Sequence, residues 1–251
     1  MDVICDTNIW YNLGNGTIKA IEYKEHNLYG TYLSIDEMSK TPKLLDDESI
    51  EVVKLAIRNM IKNHRIIYEP PFFRLLVESI PDFEYDILAN DSKILEFTQL
   101  IANGTELSTK NKEILTEYID FRNQRFQEGT KYFSTLISNF KTSTKKKSIK
   151  MNSNNSIVSK DFISYIVNST TNKNLPENFD WSSIELFEKT LAYYFLKLET
   201  SEMKIKKNDW YDLAFLVYVR PGQKIWTIDR RLKSLIKEAG LHKYVYDPND
   251  K

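Results

Sequence analysis

One cysteine, three histidines, seven glycines and no excess of charge of either sign deny this chain many of the common routes to function. A lone Cys5 excludes an internal disulfide and any multi-cysteine zinc site, and it fits a reducing compartment. His26, His64 and His242 are scattered and form no transition-metal spacing. With so few glycines there is neither a Gly-x-Gly-x-x-Gly fingerprint nor a P-loop, so a nucleotide-cofactor fold is not expected. Lys+Arg and Asp+Glu number 35 each, so any surface for nucleic acid has to be local rather than a property of the whole chain. No apolar run approaches the roughly 20 residues that span a bilayer. The start of the chain turns polar at Asp6 without a signal-peptide apolar region. A cytoplasmic protein with no membrane partner is expected.

What is present is ordinary globular material: 251 residues, 41% hydrophobic and 28% charged, ample for a sizeable core. The chain is organised around residues 2–13, DVICDTNIWYNL. The continuous apolar run Val3-Ile4-Cys5 reads as a strand buried on both faces, the usual state of a central strand in a parallel sheet. Asp6 follows at once and so falls at the sheet's carboxyl edge, where open α/β sheets bind ligands. Thr7 or Asn8 is placed to cap a helix beginning near Ile9, and Asp6 itself is an equally good cap.

Further strands are predicted at 29–34 (YGTYLS), 65–68 (RIIY), 224–227 (KIWT) and 243–246 (KYVY). Ser34 with Glu37 three residues on is a capping-box pattern opening the second helix. Residues 50–61 follow a helical stripe of Ile50, Val53, Ile57 and Met60. From 70 to 207 no convincing strand occurs. One or two helices are expected within 82–103. A long helix capped by Ser108 follows, then a polar low-complexity stretch at 141–156, a short helix at 160–168 capped by Ser159, and a helix opened by the Ser182-x-x-Glu185 box. Residues 208–219 (NDWYDLAFLVYV) are β-rich, but Asp209 and Asp212 at i and i+3 share one face of a helix and would point to opposite faces of a strand. Helix is the prediction, ended by Arg220-Pro221-Gly222.

Two strands thus run into an acid, Asp6 and Asp229, and two helices begin with acids, Glu37 and the pair Asp209/Asp212. In a parallel sheet the strand carboxyl ends and the helix N-termini that follow lie on one edge. These carboxylates are expected to share a cleft there. Crowded carboxylates repel and their pKa values rise unless something positive sits among them. Oxygen-only ligands of this kind suit Mg²⁺ or Mn²⁺, and such ions activate water against a phosphodiester. Either Asp209 or Asp212 supplies the third acid, and the spacing alone leaves both open.

Asp6-Thr7-Asn8 after the first strand, Glu37 after the second, Asp212 opening an apolar helix and Thr227-Ile228-Asp229 before the last helix resemble the PIN domain family. The resemblance covers 1–69 and 208–251, not the helical stretch 70–207 between them. It implies an α/β fold, a PIN-like parallel sheet flanked by helices, here with a large all-helical insertion packed on the core. It implies that Asp6, Glu37, Asp212 and Asp229, with Asp209 as rival or addition, bind Mg²⁺ or Mn²⁺, supported by Thr7, Asn8 and Thr227. It also implies RNA as substrate, with flap-type or other DNA cleavage and a non-catalytic binding module as alternatives. A toxin or stress-defence nuclease held by an inhibitory protein partner is the setting it suggests. For holding phosphate, Lys145, Lys146 and Lys147 in the polar stretch are the densest basic run, and Lys204, Lys206 and Lys207 are the stronger candidate because they lie next in sequence to Asp209.

Overall fold

The computed structural model describes residues 1–46, 48–103, 108–145, 155–200, 205–206 and 208–248. Four strands form one all-parallel sheet in the order β3-β2-β1-β4: β1 Asp2–Cys5, β2 Asn27–Thr31, β3 Arg65–Ile67 and β4 Lys224–Trp226. The ten α-helices among the described residues are α1 Thr7–Gly14, α2 Tyr32–Ser39, α3 Ile50–Asn63, α4 Pro71–Ser79, α5 Ile87–Ala102, α6 Thr109–Lys145, α7 Asn155–Thr171, α8 Glu185–Thr200, α9 Asp209–Phe215 and α10 Arg230–Glu238. Among the described residues no helix is long and apolar enough to cross a membrane.

The sheet is covered on both faces, and the pleat explains how a short run serves both. Ile4 and Ile225 enter a hydrophobic cluster built with α4, α7, α8, α9 and α10. Their neighbours Val3, Cys5 and Trp226 enter the opposite cluster with α1, α2, α3, α5 and the start of α6. The stretch 70–207 therefore supplies helices to both layers. Its described residues hold no strand, in line with its sequence. Gly14 ends α1 where that helix crosses α3: an added Cβ would stand 2.6 Å from the Ala56 nitrogen and 2.8 Å from the Leu55 carbonyl carbon.

Several boundaries differ from expectation. β2 ends at Thr31, not at 34. Thr31, in extended conformation, caps α2 by accepting the Ser34 N–H, so Ser34 is inside the helix and Glu37 is not its capping-box partner. The pairing of Thr31 with Ile67 of β3 holds this end in the sheet. The expected last strand at 243–246 is a 3₁₀ turn, His242–Tyr244, followed by a single parallel bridge from Val245 to Ile225. The helix expected at 160–168 runs over Asn155–Thr171. Ser159 lies buried inside it, with its hydroxyl on Glu188 of α8. Asp180, not Ser182, caps the turn before α8. Ser108 does cap α6, accepting the Asn111 N–H at 3.2 Å. Residues 209–218 are helical as predicted, α9 passing into a 3₁₀ turn at Leu216–Tyr218.

Candidate functional site

The chain builds the sheet outward from β1 through β2 to β3, then returns to lay β4 on the other side of β1. The strand order reverses between β1 and β4, and the crevice outside the carboxyl ends at such a reversal is where open α/β sheets bind ligands. Cys5 pairs with Trp226, and the Asp6 N–H donates to the Trp226 carbonyl at 2.9 Å. Asp6 and Asp229 therefore emerge side by side on one edge.

Asp6 holds the N-cap position of α1 with extended backbone (φ −64°, ψ 156°), yet its side chain makes no capping hydrogen bond. Its Oδ2 instead accepts the Thr227 hydroxyl at 2.7 Å. The same hydroxyl oxygen accepts the Asp229 N–H at 3.0 Å, so fully buried Thr227 ties the two acids together. Asp229 caps α10 through Oδ1, which accepts the Leu232 N–H at 2.8 Å. Asp6, Thr7, Leu33, Glu37, Tyr211 and Asp212 line the cleft that opens at this edge. Glu37 is exposed and makes no hydrogen bond or ion pair with a described residue. It lies one helical turn beyond Leu33 on α2, which brings both to the cleft. Asn8 is exposed on α1.

The field in the cleft is negative. Burial pushes the Asp6 carboxyl up to about 6. The Thr227 hydrogen bond opposes this, and the charges of Glu37 and Asp229 add to it. Burial likewise raises Asp212 to about 7, with Asp229, Asp6, Asp209 and Glu37 all contributing repulsion. The expected acids thus act on one another.

Asp209 is the exception in kind. It is buried, and both its oxygens are engaged: Oδ1 with Arg231 at 2.7 Å, Oδ2 with Arg231 at 2.9 Å, the Tyr194 hydroxyl at 2.7 Å and the Lys206 N–H at 2.8 Å. These contacts make Asp209 half of an ion pair joining α9 to α10. Sequence reasoning missed Arg231 and Tyr194. One signal was available: Arg230-Arg231 opens a helix at the end where cations are disfavoured. A basic pair there implies a nearby anion. Among the described residues no three His, Cys, Asp or Glu side chains stand as a ready-made ion site. Lys206 is exposed. Lys204, Lys207, Lys146 and Lys147, and the side chain of Lys145, lie outside the described residues.

No protein-family model, curated protein or solved structure matches the chain.

Proposed function

We propose that this chain is a Mg²⁺- or Mn²⁺-dependent endoribonuclease of the PIN type, with Asp6, Glu37, Asp212 and Asp229 as its acids. The observation that carries the proposal is the Thr227 bridge between Asp6 and Asp229 at the point where the strand order reverses. Two acids from opposite ends of the chain are held there in register, and two more face them.

The donor set fits a hard divalent cation. All four groups are carboxylates, and burial, with repulsion from the neighbouring acids added to it, makes Asp6 and Asp212 hold their protons abnormally well. Mg²⁺ keeps several of its waters and takes one or two carboxylates, so it does not require three converged side chains. Asp6 and Asp229, which Thr227 positions, would hold the ion, with Asp212 and Glu37 completing the donor set from α9 and α2. A bound divalent ion supplies activation of water and neutralises charge that develops on the phosphodiester. The chain's own part is to keep Asp6 ionised through the Thr227 hydrogen bond. It also holds Asp209 apart from the other acids by pairing it with Arg231.

Cleavage of labelled single-stranded RNA and of flap DNA, with Mg²⁺, Mn²⁺ or EDTA, tests this reading. Metal-dependent cuts in RNA that vanish in Asp6→Asn and Asp212→Asn are expected. Cleavage confined to flap DNA would transfer the same site to a DNA nuclease. No cleavage of either, together with no metal binding by calorimetry, would remove the enzyme altogether.

A further inference from the structure

A second opening lies one helical turn from the acids. α5 departs from helical geometry at Asp91 (φ −135°, ψ 26°), and the break is held by the Tyr85 hydroxyl on the Asp91 carboxylate. Between this break, the end of α2 and α6 is a cavity of about 340 Å³, lined by Lys40, Asn90, Asp91, Phe97, Tyr118 and Phe121. Phe97 is buried and meets Tyr118 edge to face, with ring centroids 6.3 Å apart and planes at 89°. Phe121 stands one turn beyond Tyr118 and is 55% exposed. At the rim, Asn90 Nδ2 donates to the Asp86 carbonyl at 2.8 Å, leaving Oδ1 as an acceptor, and Lys40 is paired with Asp36.

Aromatic walls with the Asn90 amide at the mouth suit a flat heterocycle with polar edges; of the charges at the rim, Lys40 is paired with Asp36 and the Asp91 carboxylate is held by the Tyr85 hydroxyl. Unpaired bases are bound in this way, by stacking on side-chain rings and hydrogen bonding at the rim. The placement narrows the ligand further. Leu33 and Glu37 line the acidic cleft and Lys40 lines the cavity. Leu33 and Glu37 lie one turn apart on α2 and Lys40 is the residue that caps its end, so the three follow one another from cleft to cavity. A strand lying across the acids reaches the cavity along that path.

We propose that this cavity is a nucleobase subsite for single-stranded RNA, holding a base that flanks the bond to be cut. Its setting rests on the nuclease reading, but it is testable without cleavage. The measurement is equilibrium binding of a fluorescein-labelled single-stranded RNA to the full chain in EDTA, so that nothing is cut. Phe121→Ala changes an exposed side chain and is expected to weaken binding about tenfold, while Phe121→Tyr keeps the affinity. Thermal melts followed by circular dichroism check that both variants remain folded. Duplex RNA, whose bases are stacked and paired, should bind Phe121→Ala and the native chain alike. Unchanged single-strand affinity in Phe121→Ala, an equal loss for duplex, or no RNA binding by the native chain overturns the subsite. Absence of metal-dependent cleavage by the native chain counts against the nuclease reading alone, whatever Phe121→Ala does to binding.

Discussion

The Thr227 hydroxyl donates to Asp6 Oδ2 at 2.7 Å across 221 positions of sequence, and it is the one side-chain link between the first and the last strand at their carboxyl edge among the described residues. Without it, Asp6 would sit among other acids with only the Thr7 N–H holding its charged form.

Thr227→Val keeps the shape and removes that donor. The Asp6 carboxyl should then hold its proton to higher pH, and the acidic limb of the pH–rate profile for RNA cleavage should move up with it. At pH 7 the rate is expected to fall at least tenfold, with a stability cost of about 1–2 kcal/mol from the unmet Asp229 N–H. Thr227→Ser should restore both. A profile identical to that of the native chain would deny Thr227 this role.

Stability should depend on pH in a direction set by Asp6 and Asp212. Both carboxyls are raised above the ordinary 3.8, to about 6 and about 7. The folded chain holds these protons more tightly than the unfolded chain does. Their favourable contribution is therefore full below pH 4 and lost as pH rises from 4 towards 7. Asp212→Asn is expected to be more stable than the native chain at pH 8, by up to about 4 kcal/mol, and to match it below pH 4. Saturating Mg²⁺ should narrow the gap at pH 8 by stabilising the native chain. Urea melts at the two pH values measure this, and a gap independent of pH would contradict it.

Asp209→Asn should behave in the opposite way to Asp212→Asn. It leaves Arg231 without its anion, and because that side chain is 35% exposed the expected loss is only about 1–3 kcal/mol. Cleavage by the folded protein should survive in Asp209→Asn and be lost in Asp212→Asn. Melting temperature and single-turnover cleavage, taken together on the two variants, distinguish the roles. Loss of cleavage in a fully folded Asp209→Asn would return that residue to the ligand set.

Gly14→Ala tests the close approach of α1 to α3. The new methyl group would stand within 2.8 Å of α3 backbone atoms, which cannot move aside as a side-chain tip would. A loss of about 1–3 kcal/mol, or a failure to fold, is expected. An unchanged melting temperature would place α1 and α3 farther apart than they are here.

Much of this was legible in order along the chain. Val3-Ile4-Cys5 announced a strand buried on both faces because each of its three residues is apolar, and the acid that follows marked the sheet edge. Asp209 and Asp212 settled helix over strand at 209–215 because three residues bring side chains to one face only in a helix. What the sequence left open depended on partners distant in the chain. Thr31 and Ser34 are both competent caps, and the pairing of Thr31 with Ile67 decided between them. The terminal segment around Val245 has strand-forming residues, but only one bridge to Ile225 gives it a ladder. Asp209 and Asp212 are the same residue type on the same helix face, and local sequence cannot rank them. Arg231, from the next helix, pairs with one and leaves the other among Asp6, Glu37 and Asp229. Strand and helix follow from neighbours in the chain, through sterics and spacing. The role of a carboxylate follows from the charges and donors around it, and only the folded chain brings those within reach.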